Sequence, residues 1–346
     1  MTGRRLLIFF VLATSAAAAD DDGLLPQARE HFRAMPRDMA TPEAPTPPER
    51  VRLGRALFFE PRISADGTTS CSRCHLPGLQ GADGLPKSIG ARDFHLKRNA
   101  PTVFNAAIHS VQHWDGRFPT VEAQAKGGVT GPAFGNSGFA PVKARLAAIP
   151  GYPPLFREAF PGQDDPITAD NLGAAVGAFE RTLVARSRFD AFLEGKADAL
   201  SPAERKGLQT FVETGCVECH KGVGVGGEGY RKFGVKSDYW KETGSDPPDE
   251  GRFGVTREAA DRYKFKVPGL RDVALTAPYF HDGSVSELPK AVRIMAKVQL
   301  GDELSDEEVD AIVAFLGSLT GAEPEEFQKV PALPPGGFTA GPPAKR

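Results

Sequence analysis

Apolar residues in this chain recur mostly at the three- and four-residue spacing of helices that bury one face. The clearest pattern covers residues 305–319, which open with a capping box of Ser305 and Glu308. The apolar face of that segment consists of Val309, Ile312, Val313 and Leu316. Similar spacing predicts helices at 26–34, 142–149, 171–183 and 288–295. Strand-like alternation is scarce and Gly-rich loops separate the helices, so we predict a mainly α, loop-rich fold.

One helical pattern occurs twice. Each copy has a proline at the helix start, an acid in the first turn, and a glycine followed four residues later by phenylalanine, on the same helix face. These positions are Pro48, Glu49, Gly54 and Phe58 in the first copy and Pro202, Glu204, Gly207 and Phe211 in the second. Each copy runs up to a pair of cysteines, so we predict two homologous modules.

The ends of the chain differ in composition from its middle. Residues 1–19 carry Arg4 and Arg5 near their start, continue with a short apolar run and end in a small-residue cleavage site at 17–19. This pattern predicts a cleaved signal peptide, and an uncleaved membrane anchor is the rival interpretation. No later segment reaches the roughly 18 apolar residues of a membrane span. We therefore predict an exported protein with an N-terminal domain at 20–185, a C-terminal domain at 186–320, and an extended Pro-rich tail at 321–346 that lies over the surface.

Length and charge narrow the function classes. The 346 residues suffice for about two domains with separate cores. A formal net charge of −2 argues against a nucleic-acid binder that works by neutralising phosphates. Four cysteines are too few for a disulfide-stapled scaffold of this length, so their clustering indicates a chemical site.

Both cysteine pairs have the C-x-x-C-H spacing of covalent haem attachment. They are Cys71, Cys74 and His75, and Cys216, Cys219 and His220. Two thiols can add to the two vinyl groups of haem, and the adjoining histidine can then ligate the iron. A zinc site using four thiols, or a thioredoxin-like pair, does not explain a histidine after both pairs. The sequence thus predicts two haem c groups.

The second axial ligand of each iron is not fixed by this motif. Candidate side chains outside the predicted signal peptide are His31, His95, His109, His113, His281, Met35, Met39 and Met295. Met295 lies 75 residues after His220, just before the capped final helix, where a small cytochrome places a distal methionine. Residue type alone favours Met295 as a core residue on a helical face.

Several further motifs, taken in order, resemble one family. They are LGRALFFEPR at 53–62, GADGLP at 81–86, RNAPT at 98–102, WDGR at 114–117, PGLR at 268–271 and PYFHDG at 278–283. With the two haem motifs, they resemble the bacterial di-haem cytochrome c peroxidases and the related MauG-type enzymes from about residue 24 to 319. The resemblance implies two cytochrome c-like domains, each with one covalently attached haem c.

The resemblance also implies roles for single residues. The C-terminal haem would be an electron relay ligated by His220 and Met295, and the N-terminal haem on His75 would react with peroxide. Trp114 would lie between the haems. Asn99, Thr276 and Pro278 match positions whose oxygens hold an inter-domain calcium ion.

The chain departs from the family pattern near the peroxide site. Gln124 matches a catalytic glutamine, but the glutamate expected ten residues later is Phe134, which cannot move a proton. The loop histidine that caps the resting haem in many members falls on Ala91, with His95 four residues further on. Glu122, two residues before Gln124, is the nearest acid in sequence, but its position favours a surface charge on a helix. MauG-type members keep the glutamate and have tyrosine where Met295 stands.

The leading interpretation is a periplasmic peroxidase that reduces hydrogen peroxide with electrons from a small redox protein, a cytochrome c or a cupredoxin. Two alternatives stay open: a MauG-like oxidase that acts on a partner protein, and a non-enzymatic di-haem electron carrier or redox sensor, which Phe134 favours. Family members are commonly dimers, so a homodimer is possible.

Overall fold

The computed structural model describes residues 23–338, so the predicted signal peptide at 1–19 lies outside the described residues. Within them, the helices are α1 Leu24–His31, α2 Pro48–Phe58, α3 Val121–Val129, α4 Ala140–Ala148, α5 Tyr152–Ala159, α6 Ala169–Glu180, α7 Arg188–Leu193, α8 Pro202–Glu213, α9 Tyr239–Thr243, α10 Phe253–Thr256, α11 Leu288–Met295, α12 Asp306–Ser318 and α13 Glu325–Gln328. Two short strands, β1 Tyr230–Lys232 and β2 Lys264–Lys266, pair antiparallel. The mainly helical, loop-rich prediction is confirmed.

The first core forms where α2 crosses α6. A Cβ atom at Gly54 would lie 1.8 Å from the carbonyl oxygen of Ala175, so only glycine allows the two backbones to approach this closely. One turn later, the ring of Phe58 packs 5.5 Å from Phe179 and 6.4 Å from His75, centroid to centroid. The crossing therefore places an aromatic ring directly behind the first cysteine cluster.

The second core repeats this arrangement where α8 crosses α12. A Cβ atom at Gly207 would lie 1.9 Å from the carbonyl oxygen of Ala311. The ring of Phe211 lies 5.2 Å from Phe315 and 6.5 Å from His220. The glycine–phenylalanine repeat in the sequence thus corresponds to the same helix crossing built twice, and it supports the second histidine as it supports the first.

Both ends of the described chain pack on the core that is distant in sequence. Leu24, Ala28 and Phe32 of the N-terminal segment are buried in the second core, with Phe189 and Phe315. The predicted domain boundaries at residues 185 and 320 divide the chain by sequence position and remain a prediction. In space, the N-terminal segment belongs with the second core.

The Pro-rich tail does more than lie over the surface. Phe327 of α13 is fully buried in the first core, where its ring lies 5.0 Å from Phe104 and 5.6 Å from Phe58. Further along, the Arg62 guanidinium donates hydrogen bonds to the carbonyls of Pro334 and Gly336. The tail thus ties the second domain back to the first through an aromatic anchor.

In residues 23–338, none of the helices combines the length and the apolar character needed to cross a bilayer.

Candidate haem sites and the region between them

The first cysteine cluster is a single turn of 3₁₀-helix that leads into His75. The amide of His75 donates to the carbonyl of Cys71, which closes the turn. The Nδ1 of His75 lies 2.9 Å from the carbonyl oxygen of Gly81. Because a carbonyl only accepts, Nδ1 carries the proton and Nε2 keeps its lone pair. Burial lowers the pKa of His75, so the ring is a neutral ligand with Nε2 available.

The second cluster has the same turn and a more deeply buried histidine. The amide of His220 donates to the carbonyl of Cys216, and the residue is 9% exposed. Burial lowers the pKa of His220 to about 4. A Cβ atom at Gly226 would lie 3.0 Å from the Nδ1 of His220 and 2.2 Å from the carbonyl oxygen of Pro268. Glycine at this position therefore lets the loop pack against the Nδ1 edge of the ring, which leaves Nε2 as the ligating atom.

The cysteines fit haem attachment better than the alternatives. All four are free thiols, and burial raises the pKa of Cys71, Cys74 and Cys216. Zinc sites and reactive thiol pairs require thiolates, which this environment disfavours. In residues 23–338, no group of three or more His, Cys, Asp and Glu side chains is placed to hold a metal ion.

The first cluster supplies the donor atoms that a haem needs. Cys71 and His75 each keep accessible surface. Two thiols and an imidazole with a free Nε2, within one turn of each other, are the donor set that a covalently attached haem requires. The residues present therefore fit the group that the sequence predicts.

Met295 is distinguished from the other methionines by its exposure. Met35 and Met39 are 1% and 5% exposed and act as core residues. Met295, the last residue of α11, keeps accessible surface and is followed by a π-helix at Ala296–Leu300. Short π-helical segments are frequent at functional sites. Among the methionines that the structure describes, Met295 is thus the one still accessible as a ligand.

The loop that carries Ala91 packs on the turn that carries Phe134. Ala91 is 1% exposed, and a Cβ atom at Gly90 would lie 2.4 Å from the carbonyl oxygen of Ala133. Phe134 itself is 7% exposed and belongs to the first core. His95 is exposed and lines an open groove of about 590 Å³ beside this loop. The structure therefore puts an apolar ring where relatives are expected to have a carboxylate, and a solvated His95 nearby.

Two neighbouring acids on α3 and α6, Glu122 and Glu180, differ in charge state. Glu122 forms an ion pair with Arg181, Oε1 to Nε 2.7 Å. Burial raises the pKa of Glu122, but the pairing with Arg181 outweighs burial and holds this pKa below its usual value. Glu180, which the sequence did not single out, is 5% exposed; burial, with the charge of Glu122, raises its pKa to about 8. In its ionised form Glu180 raises the pKa of Cys71. Near neutral pH, however, the Glu180 carboxyl is mainly protonated.

Trp114 contacts segments that lie far apart in the sequence. Its indole Nε1 donates to the carbonyl of Asn99 over 3.0 Å, and its own carbonyl accepts from the amide of Lys266 over 2.8 Å. Its ring lies edge-on to His281, 6.3 Å between centroids. Asn99 precedes the predicted domain boundary at residue 185, whereas Lys266 and His281 follow it. Trp114 therefore contacts segments on both sides of the predicted boundary.

Asn99 is held beside the segment that carries the other predicted calcium ligands. Its amide N–H donates to the carbonyl of His281 over 2.8 Å, three residues after Pro278. Its side-chain Nδ2 donates to the carbonyl of Leu85 over 2.9 Å, which leaves the Oδ1 oxygen for another partner. Thr276 directs its hydroxyl to the carbonyl of Asp272. The three predicted ligands thus lie on two neighbouring chain segments.

Gln124 lies on α3, half-buried, one turn before the glycines near the end of the helix.

Two polar pairs in this region were not indicated by the sequence: His113 with Arg117, and Lys266 with His109. Lys266 is 5% exposed and its Nζ lies 3.2 Å from the Nδ1 of His109. Burial lowers the pKa of Lys266 to about 8. A histidine before a tryptophan and a lysine in a strand carry no distinguishing pattern, so their proximity becomes visible only in three dimensions.

Comparison with known proteins agrees with this geometry. The sequence model of the di-haem cytochrome c peroxidase family matches residues 48–198, and that of cytochrome c matches residues 204–320. The chain is 42% identical to the cytochrome c551 peroxidase of Pseudomonas aeruginosa over 90% of each sequence. It is 36% identical to the methylamine utilization protein MauG of Methylorubrum extorquens over 86% of each.

A solved structure is also similar. The crystal structure of a MauG-like protein associated with microbial copper homeostasis superposes with a TM-score of 0.72 at 29% identity, covering 85% of this chain and 96% of that one. The relatives, the repeated helix crossing and the two buried C-x-x-C-H turns lead to one conclusion: this chain belongs to the di-haem cytochrome c peroxidase and MauG family, whose members carry two haem c groups.

Proposed function

We propose that this protein is a periplasmic peroxidase that reduces hydrogen peroxide to water with electrons from a small cytochrome c or cupredoxin. Its relatives named cytochrome c551 peroxidase and cytochrome c peroxidase support a peroxidase-type oxidoreductase. The observation that carries the finer proposal is the asymmetry of the two sites. Met295 keeps accessible surface and is the ligand that we assign to the His220 site, whereas Ala91, 1% exposed, offers no ligand at the position expected to cap the other.

In this proposal, Cys71, Cys74 and His75 hold the first haem, and Cys216, Cys219 and His220 hold the second. When bound, the haems would supply the redox chemistry, since haem iron exchanges single electrons. Met295 would provide the second side-chain ligand at the His220 site, because thioether ligation favours the reduced iron and suits an electron relay.

Trp114 is the residue that we assign to electron passage between the sites. It contacts Asn99 on one side and Lys266 and His281 on the other, so it spans the predicted domain boundary. Gln124 is assigned to the peroxide site, where its amide can position the substrate by hydrogen bonding. Reduction of one peroxide breaks its O–O bond, consumes two electrons and two protons, and yields two water molecules.

A calcium ion is proposed at the domain boundary, held by the Oδ1 of Asn99 and the carbonyl oxygens of Thr276 and Pro278. These are hard oxygen donors of the kind that calcium prefers. Calorimetric titration of the holoprotein with calcium tests this assignment. Asn99→Ala should lose most of the affinity, whereas Asn99→Asp, which keeps a side-chain oxygen, should retain it. Equal affinity in the wild type and the alanine variant would contradict the site.

The activity is tested by following oxidation of a reduced cytochrome c by hydrogen peroxide. We expect turnover well above that of free haem, and a reduced rate in Trp114→Phe. The chain's other tryptophan provides a matched control, because Trp240 of α9 packs on Tyr239 and Tyr263 away from Trp114. Trp240→Phe should leave the rate unchanged. A wild-type rate no higher than that of free haem would contradict the proposal and favour the non-enzymatic electron carrier or redox sensor.

Relatives named MauG raise a second candidate, an oxidase that acts on a partner protein. Met295 argues against it, since the MauG-type enzymes that the chain resembles have a tyrosine there. Peroxide added without a donor distinguishes the two. Without a donor, a peroxidase should consume peroxide only until the electrons stored on its own haems are used up. The oxidase should instead hold two oxidising equivalents across both sites for a long time.

A further inference from the structure

A polar pair next to Trp114, the half-buried His113 and the exposed Arg117, has no role in the function proposed above. His113 adopts a left-handed backbone conformation, φ +66°, which is uncommon for a residue with a side chain. Its Nδ1 lies 2.8 Å from an Nη2 nitrogen of Arg117. The same guanidinium donates from Nη1 to Asp115 over 3.0 Å, which keeps it in place.

This hydrogen bond fixes the position of the proton on the ring. Guanidinium nitrogens donate and do not accept, so the Nδ1 of His113 must be the acceptor. A neutral imidazole then carries its proton on Nε2. Burial, with the charge of Arg117 acting in the same direction, lowers the pKa of His113 to about 3, so the ring stays neutral. His113 is therefore held with an N–H group at Nε2.

Packing links His113 to the helix that carries Gln124. The rings of His113 and Phe118 lie 5.1 Å apart, and a Cβ atom at Gly127 would lie 2.3 Å from the Phe118 ring. Gly127 lies on α3, one turn after Gln124. His75 is among the residues whose charge acts on the pKa of His113, and both histidines keep accessible surface.

We propose that the Nε2–H of His113 donates a hydrogen bond to a small anion or to peroxide bound at the His75 haem. This assignment rests on the proposed function, because it names a group that contacts the same substrate. It gives the site a polar group although Phe134 has removed the usual carboxylate. Two other roles are excluded by the proton position: Nε2–H has no lone pair with which to ligate iron, and a ring held by Arg117 is a weak base.

Fluoride binding to the fully oxidised holoprotein tests this proposal, because fluoride is a strong hydrogen-bond acceptor and its binding is followed optically without turnover. Hydrogen bonds to charged groups are worth about 1.5–3 kcal/mol, so His113→Phe should weaken fluoride binding roughly 10- to 100-fold. His113→Gln, which keeps an N–H donor, should recover much of the affinity. His95→Gln, at an exposed histidine on the neighbouring loop, should bind as the wild type does.

Arg117→Met provides a second variant that leaves His113 in place. Without the guanidinium, either ring nitrogen can carry the proton, so fluoride should bind more weakly than to the wild type and more tightly than to His113→Phe. Equal fluoride affinity in the wild type and His113→Phe, or no fluoride binding by the wild type, would overturn the proposal. So would a low-spin His75 haem that becomes high-spin in His113→Phe, since that would identify His113 as an iron ligand. Failed peroxide turnover with the expected fluoride series would count against the proposed function alone.

Discussion

The helix crossing in the second domain allows a prediction with a defined sign. In Gly207→Ala the new Cβ would lie 1.9 Å from the carbonyl oxygen of Ala311 and 2.9 Å from the Cβ of Phe315. Because the first contact is with backbone, α8 and α12 must separate by about 1.5 Å to reach an ordinary distance of 3.4 Å. That movement also opens the contact between Phe211 and Phe315, whose rings lie 5.2 Å apart.

The size of the effect follows from two opposing contributions. Overpacking a core typically costs about 1–3 kcal/mol, and a backbone clash of this size belongs at the upper end. Alanine gains about 1 kcal/mol over glycine inside a helix. We therefore expect Gly207→Ala to lower the free energy of unfolding by about 2 kcal/mol.

Gly317→Ala is the matched control, since it lies in α12 of the same crossing and a Cβ there meets nothing within 4 Å. Only the helix-propensity gain remains, so this variant should be about 1 kcal/mol more stable than the wild type. Urea unfolding of the oxidised holoproteins, followed by far-ultraviolet circular dichroism at unchanged m-value, measures both. If both alanines stabilise the protein equally, close approach of the helices at Gly207 is refuted.

Three further predictions concern stability. Phe327→Ala removes a fully buried ring from the first core and should lower the free energy of unfolding, measured in urea, by about 3–5 kcal/mol. Val330→Ala, at a 66% exposed position, should leave that free energy almost unchanged. Asp190→Ala leaves the buried Arg271 without the carboxylate that it contacts at 2.7 and 2.9 Å, and should lower the free energy of unfolding by about 3–5 kcal/mol. Asp170→Ala is the control: it breaks the exposed ion pair with Lys126 and should lower the free energy of unfolding by less than about 1 kcal/mol. Lys266 has a pKa of about 8 in the folded protein and 10.5 in the unfolded chain, so between these pH values the unfolded chain binds a proton that the folded protein does not. The free energy of unfolding of the wild type should therefore fall by about 3 kcal/mol as the pH drops from 10.5 to 8. Lys266→Met should remove this dependence, and an unchanged slope of unfolding free energy against pH would show that Lys266 is not buried in this way.

Local pattern predicted the helices well where their start signals were strong. The capping box of Ser305 and Glu308 is present, and α12 begins at the next residue, Asp306. The segment predicted at 171–183 is observed as α6, Ala169–Glu180, because Thr168 caps it by accepting from the amide of Asn171. The repeated glycine and phenylalanine spacing also predicted two like modules, and the structure shows the same backbone approach at Gly54 and Gly207.

Contacts between segments distant in sequence could not be predicted in this way. Phe327 stands in a Pro-rich, acidic context that indicates an exposed tail, yet it fills the first core. Leu24 precedes the first module along the chain but packs in the second core. Hydrophobic periodicity tells which side of a helix is buried and carries no information about the partner that covers it.

The candidate sites divide in the same manner. The cysteine spacing predicts both attachment turns, because that chemistry depends on residues within one turn. The pairing of His113 with Arg117 depends on a left-handed backbone at His113, and Lys266 meets His109 across 157 residues of chain. Such polar groups near a site have no sequence signature of their own.

The most direct measurement of the proposed division of labour is electron paramagnetic resonance of the fully oxidised holoprotein, with spin quantitation of each signal. We expect one low-spin haem, ligated by His220 and Met295, and one high-spin haem at His75, because Ala91 offers no ligand and the Nε2 of His113 is protonated. Two low-spin signals of equal intensity would contradict an open His75 site, and with it the assignment of that site to peroxide.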